Sequence, residues 1–204
     1  MRDTKQRILD VSLELFSQNG FSSVSIRDIC RKVQIKESSV YYHFTNKQAI
    51  FDELLNQFKK QATDMMCQLE QELEFNFYPI ENNFYHKVCD VFFENYFMDD
   101  FCNKVMRLLS IEQFSSNTVQ KIYDYWMFDE PLKFQSKVFS VLINAGVIPA
   151  SDSEYLAIKY YAPIYFWAQR WLFSGPLSEE RKNFFRRDAY SHIQKFFTEI
   201  GGIV

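Results

Sequence analysis

Glycine and proline are scarce in this chain, five of each in 204 residues, and nearly all fall where helices would end: Gly20, Pro79, Pro131, Gly146 with Pro149, Gly175 with Pro176, and Gly201-Gly202. Pro163 alone sits inside a helical pattern, where it should kink or loosen the helix. Period-two alternation is missing as well. These absences exclude a sheet protein and leave an all-α chain, with helices expected near 3–19, 25–33, 37–44, 46–74, 82–97, 101–114, 117–128, 131–145, 152–174 and 178–200.

Long apolar runs are also missing. The longest uncharged stretch, Val138 to Ser151, is broken by Gly146 and Pro149 and falls short of the roughly 20 residues a membrane span needs. The charged start, Arg2-Asp3-Thr4-Lys5, argues against a signal peptide, so a cytoplasmic protein is expected. Cys30, Cys67, Cys89 and Cys102 lack C-x-x-C spacing and lie in helical patterns, which favours reduced, buried thiols over disulfides or a zinc site. His43, His86 and His192 are far apart, and neither a Gly-rich phosphate loop nor a nucleophile motif is present. No catalytic residue, metal or cofactor is therefore assigned. Asp99-Asp100-Phe101-Cys102-Asn103 looks like a fragment of the acidic metal-diphosphate motif of all-α terpene synthases, but an Asp pair before a helical run is explained by capping.

What is present is concentrated between Ser25 and Lys47. Ile8, Val11, Leu15 and Phe16 recur at helical spacing, and Gly20 suits the residue that ends the first helix. Ser25 and Asp28 have capping-box spacing, and Ile26, Ile29, Cys30 and Val33 line one face of a second, short helix. Gln34-Ile35-Lys36 then separates it from Ser38-Ser39-Val40-Tyr41-Tyr42-His43-Phe44. Val40 and Phe44, four apart, would face a core while Ser39, Tyr42 and His43 look outward. Helix, three-residue connection, helix is the helix-turn-helix arrangement, with the second helix as the reader of DNA. Gln34 stands where a tight turn favours glycine, so backbone strain is expected there. Lys36, Glu37 and Ser39, at the start of the reading helix, are the candidates for base edges, with Glu37 either accepting from a cytosine amino group or pointing away. Ser25 is first a helix cap and second a phosphate donor. Tyr41 and Tyr42 cannot both face inward, so at least one is available to phosphate or a thymine methyl. Lys47, in the first turn of the fourth helix, is the candidate phosphate contact, and Thr45 with Gln48 supplies a second capping-box spacing.

These residues resemble the N-terminal DNA-binding domain of the tetracycline-repressor (TetR) family of bacterial transcription regulators. The resemblance covers roughly the first 50 residues: Phe16-Ser17-Gln18-Asn19-Gly20-Phe21, Ser25-Ile26-Arg27-Asp28-Ile29-Cys30, and Val40-Tyr41-Tyr42-His43-Phe44 followed by Lys47. The chain departs from the family's pattern at Cys30 and Val33, where Ala is usual, at Gln34, where Gly is usual, and at Lys36-Glu37. It implies a DNA-binding head over 1–47, an effector-binding and dimerisation domain over 48–204, and DNA contacts at Arg27, Tyr41, Tyr42 and His43. It further implies a homodimer that pairs through its last two helices, a palindromic double-stranded operator and a small-molecule effector. The expected function is a ligand-responsive repressor. An all-α ligand-binding protein, or a small helical enzyme without DNA binding, is the alternative.

Charge and aromatics are both unevenly spread along the chain. The first 60 residues carry ten Lys and Arg against seven Asp and Glu, whereas the remainder carries 13 against 19. A basic head meets phosphate while an acidic body does not. Residues 48–204 hold 19 of the 22 Phe, 10 of the 12 Tyr and all three Trp. Phe185, Ala189, Ile193 and Phe196 recur along the last helix and, with Trp167 and Trp171, are expected to fill an intersubunit bundle. Phe93, Tyr96, Phe97, Tyr123, Trp126, Phe128 and Trp167 are the candidates for lining an effector cavity, against the plainer reading that they are core.

Overall fold

The computed structural model of the protein describes residues 3–75 and 89–201. Pro79, His86 and the beginning of the helix expected over 82–97 lie outside the described residues. Within them the architecture is all-α, without a strand. α1 (Thr4–Asn19), α2 (Ile26–Val33) and α3 (Glu37–His43) make the head, and α4 (Lys47–Phe75) leads out of it. α5 (Asp100–Glu112), α6 (Asn117–Asp124), α7 (Glu130–Asn144), α8 (Ser153–Ala168) and α9 (Glu179–Glu199) build the body.

α2 and α3 have eight and seven residues, too few to be stable helices alone. Burial holds them. Ile8, Leu9, Leu13 and Phe16 from α1 belong to one cluster with Ile29, Cys30, Val33, Val40, Phe44, Ile50, Phe51 and Leu54, none more than 5 % exposed. Each such side chain stabilises by roughly 1.5–3 kcal/mol, which outweighs the poor nucleation of two short helices. Arg7 adds a hydrogen bond from its guanidinium to the Val33 carbonyl at 2.8 Å, closing the C-terminus of α2.

Caps set the ends. Ser25 Oγ accepts from the Asp28 amide, and the Asp28 carboxylate accepts from the Ser25 amide at 3.0 Å, completing the expected capping box. At the start of α4 the cap is Asn46, whose Oδ1 accepts from the Ala49 amide at 2.9 Å, rather than Thr45. Gln34 takes the left-handed conformation, φ 62 and ψ 48, with its amide donating to the Cys30 carbonyl. That conformation costs an L residue about 1–2 kcal/mol, and glycine gives part of the gain back in chain entropy. Gln34→Gly should therefore stabilise the fold by about 0.5–1 kcal/mol, seen as a higher urea midpoint with the slope unchanged.

In the body, α8 packs against α7 and α9, while α1 lies against α5 and joins head to body. Among the described residues, three π-helical turns interrupt the α-helical course: π1 (Phe93–Phe97), π2 (Tyr125–Asp129) and π3 (Gln169–Phe173). The Met98 amide reaches back five residues to the Phe93 carbonyl at 2.8 Å. Buried polar side chains supply donors to carbonyls of these turns. Tyr96 donates to Trp126 O at 2.7 Å, Tyr161 to Met127 O at 2.8 Å, and Asn103 to both Phe97 O and Leu172 O at 3.0 and 3.2 Å. Burial pushes the Tyr96 and Tyr161 hydroxyls far up, so they stay neutral donors.

Two expectations are corrected here. Phe185, Ala189, Ile193 and Phe196 are at most 5 % exposed within a single protomer, so their side chains fill its own core and not a shared bundle. Cys67 is exposed, whereas Cys30, Cys89 and Cys102 are buried and free; burial pushes the Cys89 thiol up to about 12, which keeps it protonated and unreactive.

Candidate nucleic-acid interface

α3 is fixed from behind by Val40, fully buried, and by Phe44 just beyond its end. Its other face is open. Tyr42 is 85 % exposed and Tyr41 51 %, and Lys36, Glu37 and Ser38 are exposed beside them. Ser39 and His43, four apart, are half-buried along the flank, with the His43 ring edge-on to Tyr42 at 5.0 Å. Ser25 and Arg27 are exposed on α2 and its cap. The expected contact residues thus lie on or beside one short helix and the start of its neighbour. Ser38, absent from the expected set, shares the Tyr41 and Tyr42 face at i+3 and i+4; that spacing was the signal.

Glu37 faces Arg27, with Nε to Oε1 at 3.2 Å across the turn. Both are well exposed, so the pair contributes under about 1 kcal/mol and can be exchanged for a contact with DNA. Ser25 is engaged as the cap, and its hydroxyl also meets the Asp28 carboxylate at 2.6 Å. Hydrogen bonds from the Ser25 hydroxyl and amide, then the charge of Arg31, hold the Asp28 carboxyl below its ordinary 3.8. A lowered folded value means that this contribution is present above pH 3.8 and is lost as pH falls through the folded value. Ser25→Ala should cost about 1 kcal/mol in thermal or urea unfolding.

Lys47 opens α4, in the first turn where it was expected, and its ammonium finds partners inside the head. Its ammonium donates to the Phe21 and Val24 carbonyls at 2.6 and 2.7 Å and lies 4.2 Å from the centre of the Phe21 ring. Desolvation lowers its pKa, and the nearby Glu112 charge opposes that. Two of its three protons are therefore engaged inside the head, and its first role is to hold the α1–α2 turn. Glu112 was not foreseen. It falls on the apolar stripe Cys102, Val105, Met106, Leu109 of α5, and a carboxylate on a core stripe was the available sign.

The aromatic candidates in the body separate into three groups. Phe93, Tyr96, Phe97 and Trp126 are buried with Phe58 and Phe92, ring against ring at 5.0–6.3 Å. The cavity that touches Phe93, bounded also by Cys89, Gln135 and Tyr160, holds about 10 Å³, room for no more than one water. Tyr123 and Phe128 form a second group with Tyr165 and Gln169, in which the Tyr123 and Tyr165 hydroxyls meet and the Gln169 amide donates to both. Trp167 belongs to neither group. It stands half-exposed against the Phe166 ring at 4.8 Å, with the Arg170 guanidinium 5.7 Å away. Asp99 caps α5 through the Cys102 amide at 2.9 Å, and Asp100 pairs with Lys104, as the capping explanation requires.

Comparison with known proteins bears first on the N-terminal residues. Residues 8–54 match the bacterial regulatory proteins of the tetR family. The HTH-type transcriptional regulator UidR of Escherichia coli K12 is 32% identical over 79 residues, which is 39% of this chain and 40% of UidR. The chain therefore matches about two-fifths of that relative's length. A transcriptional regulator from Aquifex aeolicus shares the fold over 96% of this chain and 100% of its own, with a TM-score of 0.66 at 16% identity. SmeT, the repressor of the Stenotrophomonas maltophilia multidrug efflux pump SmeDEF, superposes over 97% of this chain and 90% of its own with a TM-score of 0.63 at 16% identity. SmeT is also known in complex with triclosan.

Proposed function

We propose that this chain, whose residues 8–54 belong to the tetR family of bacterial regulatory proteins, is a homodimeric transcriptional repressor that a small hydrophobic or aromatic molecule releases from a palindromic operator. The observation that carries the reading is α3: seven residues pinned by Val40 and Phe44, with Lys36, Glu37, Ser38, Tyr41 and Tyr42 exposed on the opposite side. Such a helix presents hydrogen-bonding side chains to a major groove on a rigid support. In this reading residues 1–47 are the DNA-binding head and 48–204 the effector and dimer domain, and the chain works in the cytoplasm without catalysis. No helix among the described residues is long and apolar enough to cross a membrane.

The effector part of the reading is supported by SmeT, a structural relative with a bound small molecule. Within this chain, Tyr123, Phe128, Tyr165 and Gln169 combine rings with hydroxyl and amide handles, the mixture that orients an aromatic ligand. The dimer part is supported by α8, whose Tyr155, Ile158 and Phe166 are 59, 51 and 54 % exposed on one stripe with Ala162.

Specific retardation of a promoter fragment from the source genome, abolished by excess unlabelled fragment and not by random DNA, tests the regulator reading. A protein that retards no fragment better than random DNA would refute it. Lys36→Ala should shift base preference by roughly 1–3 kcal/mol at one position per half-site. Lys47→Ala should instead destabilise the head by about 1–3 kcal/mol, because the Phe21 and Val24 carbonyls lose their donor. A binding-site selection alongside urea unfolding separates the two effects.

A further inference from the structure

Phe21, in the turn between α1 and α2, is gripped on both backbone groups by residues from outside that turn. Its amide donates to Glu112 Oε1 of α5 at 2.8 Å, and its carbonyl accepts from Lys47 of α4 at 2.6 Å. Glu112 is 7 % exposed, and its other oxygen accepts from the Ser115 hydroxyl at 2.8 Å. A buried carboxylate is tolerated only when its oxygens are paired, so the Phe21 amide and Glu112 specify one another. Gly20 makes the approach possible: its φ is +81, and a Cβ there would lie 2.9 Å from Glu112 Oε1.

Among the described residues, α1 itself is linked to α5 by Lys104 to Glu14 at 2.9 Å, on long side chains with part of their surface in solvent. An ion pair of that kind tolerates a range of angles. The Phe21–Glu112 hydrogen bond, made by backbone on one side and a buried carboxylate on the other, does not.

We infer that Glu112 is the positioning residue of the operator-reading head: by holding the Phe21 amide it fixes the angle between head and body, and with it the half-site spacing that a dimer accepts. This rests on the regulator reading above and assigns the spacing specificity within it. Glu112 touches no base and no phosphate in this scheme.

The test is a binding-site selection on a library in which half-site spacing varies, using wild type, Glu112→Gln and Glu112→Ala. The Gln variant keeps an acceptor for the Phe21 amide and should select the wild-type spacing. The Ala variant should recover the same half-site sequence over several neighbouring spacings, with at least tenfold weaker binding to the preferred site and an unchanged salt slope. Glu112→Asp, which withdraws the oxygen by one methylene, should behave like Ala and serves if Ala fails to fold. Wild-type spacing and affinity in both Ala and Asp would overturn the inference, as would a changed half-site sequence. If wild type selects no DNA at all, the regulator reading fails, and hydrogen exchange at the Phe21 amide still decides the clamp. At least tenfold faster exchange in Asp than in wild type and Gln supports it, and equal exchange overturns it.

Discussion

Glutamate in place of Phe166 should turn the protein into a folded monomer with operator affinity lowered by roughly 10²–10⁴. Phe166 is 54 % exposed and lies on the α8 stripe with Tyr155, Ile158 and Ala162. Its loss should change protomer stability by no more than about 0.5 kcal/mol, as expected for a surface position. In a two-fold interface the same substitution appears twice, removing two aromatic anchors and burying two carboxylates without partners. In the proposed dimer each head reads only a half-site, so the monomer loses the effective concentration that links the two readings. Sedimentation at micromolar concentration with DNA retardation checks both halves. A dimer as tight as wild type would remove α8 from the interface. Charge at Phe196, 3 % exposed, should instead unfold the protomer.

Phe97→Ala has the second largest expected effect, and it falls on stability. Phe97 is fully buried, with its ring 5.0–6.0 Å from those of Phe92, Tyr96, Phe173 and Phe185. Truncation should cost about 3–5 kcal/mol, from lost burial plus the cavity left among rings that cannot all close in. That is a large part of the 5–15 kcal/mol typical of a folded domain. Urea unfolding measures it directly. A ring that lines a ligand cavity would behave differently, with little loss of stability and a large loss of ligand response. A cost under about 1 kcal/mol would therefore return Phe97 to the effector site.

The head was legible in the sequence because its signals are local. Ser25 with Asp28, the Ile29–Val33 stripe and the spacing of Val40 and Phe44 each specify a turn of helix within a few residues, and the capping box is present as its spacing implies. Gln34 announced its own strain for the same reason, since a left-handed turn is a property of one residue. The contacts of Lys47 were not legible because its partners, the carbonyls of Phe21 and Val24, are more than twenty residues away in the chain. Glu112 and Phe21 are further apart still. In the body, period alone cannot say whether a buried stripe meets its own protomer or another, and Phe185 and Phe196 turned inward where an intersubunit role was expected. The exposed face of α8, with Ile158 and Phe166, could be told from its buried face only by the fold itself.

The π turns bear on kinship. α6, π2 and α7 run without a break from Asn117 to Asn144, as do α8 and π3 from Ser153 to Phe173. A π turn is an α-helix carrying one surplus residue. A relative that lacks the surplus is one position shorter in mid-helix, and every side chain beyond that point is rotated by about 100° relative to this chain. Single-position gaps near 125–129 or 169–173 would then be genuine differences of ancestry, unlike the length changes that accumulate in surface loops. Placing such a gap in the nearest loop instead would pair Phe134 or Phe139 with the wrong ancestral position along the whole of α7.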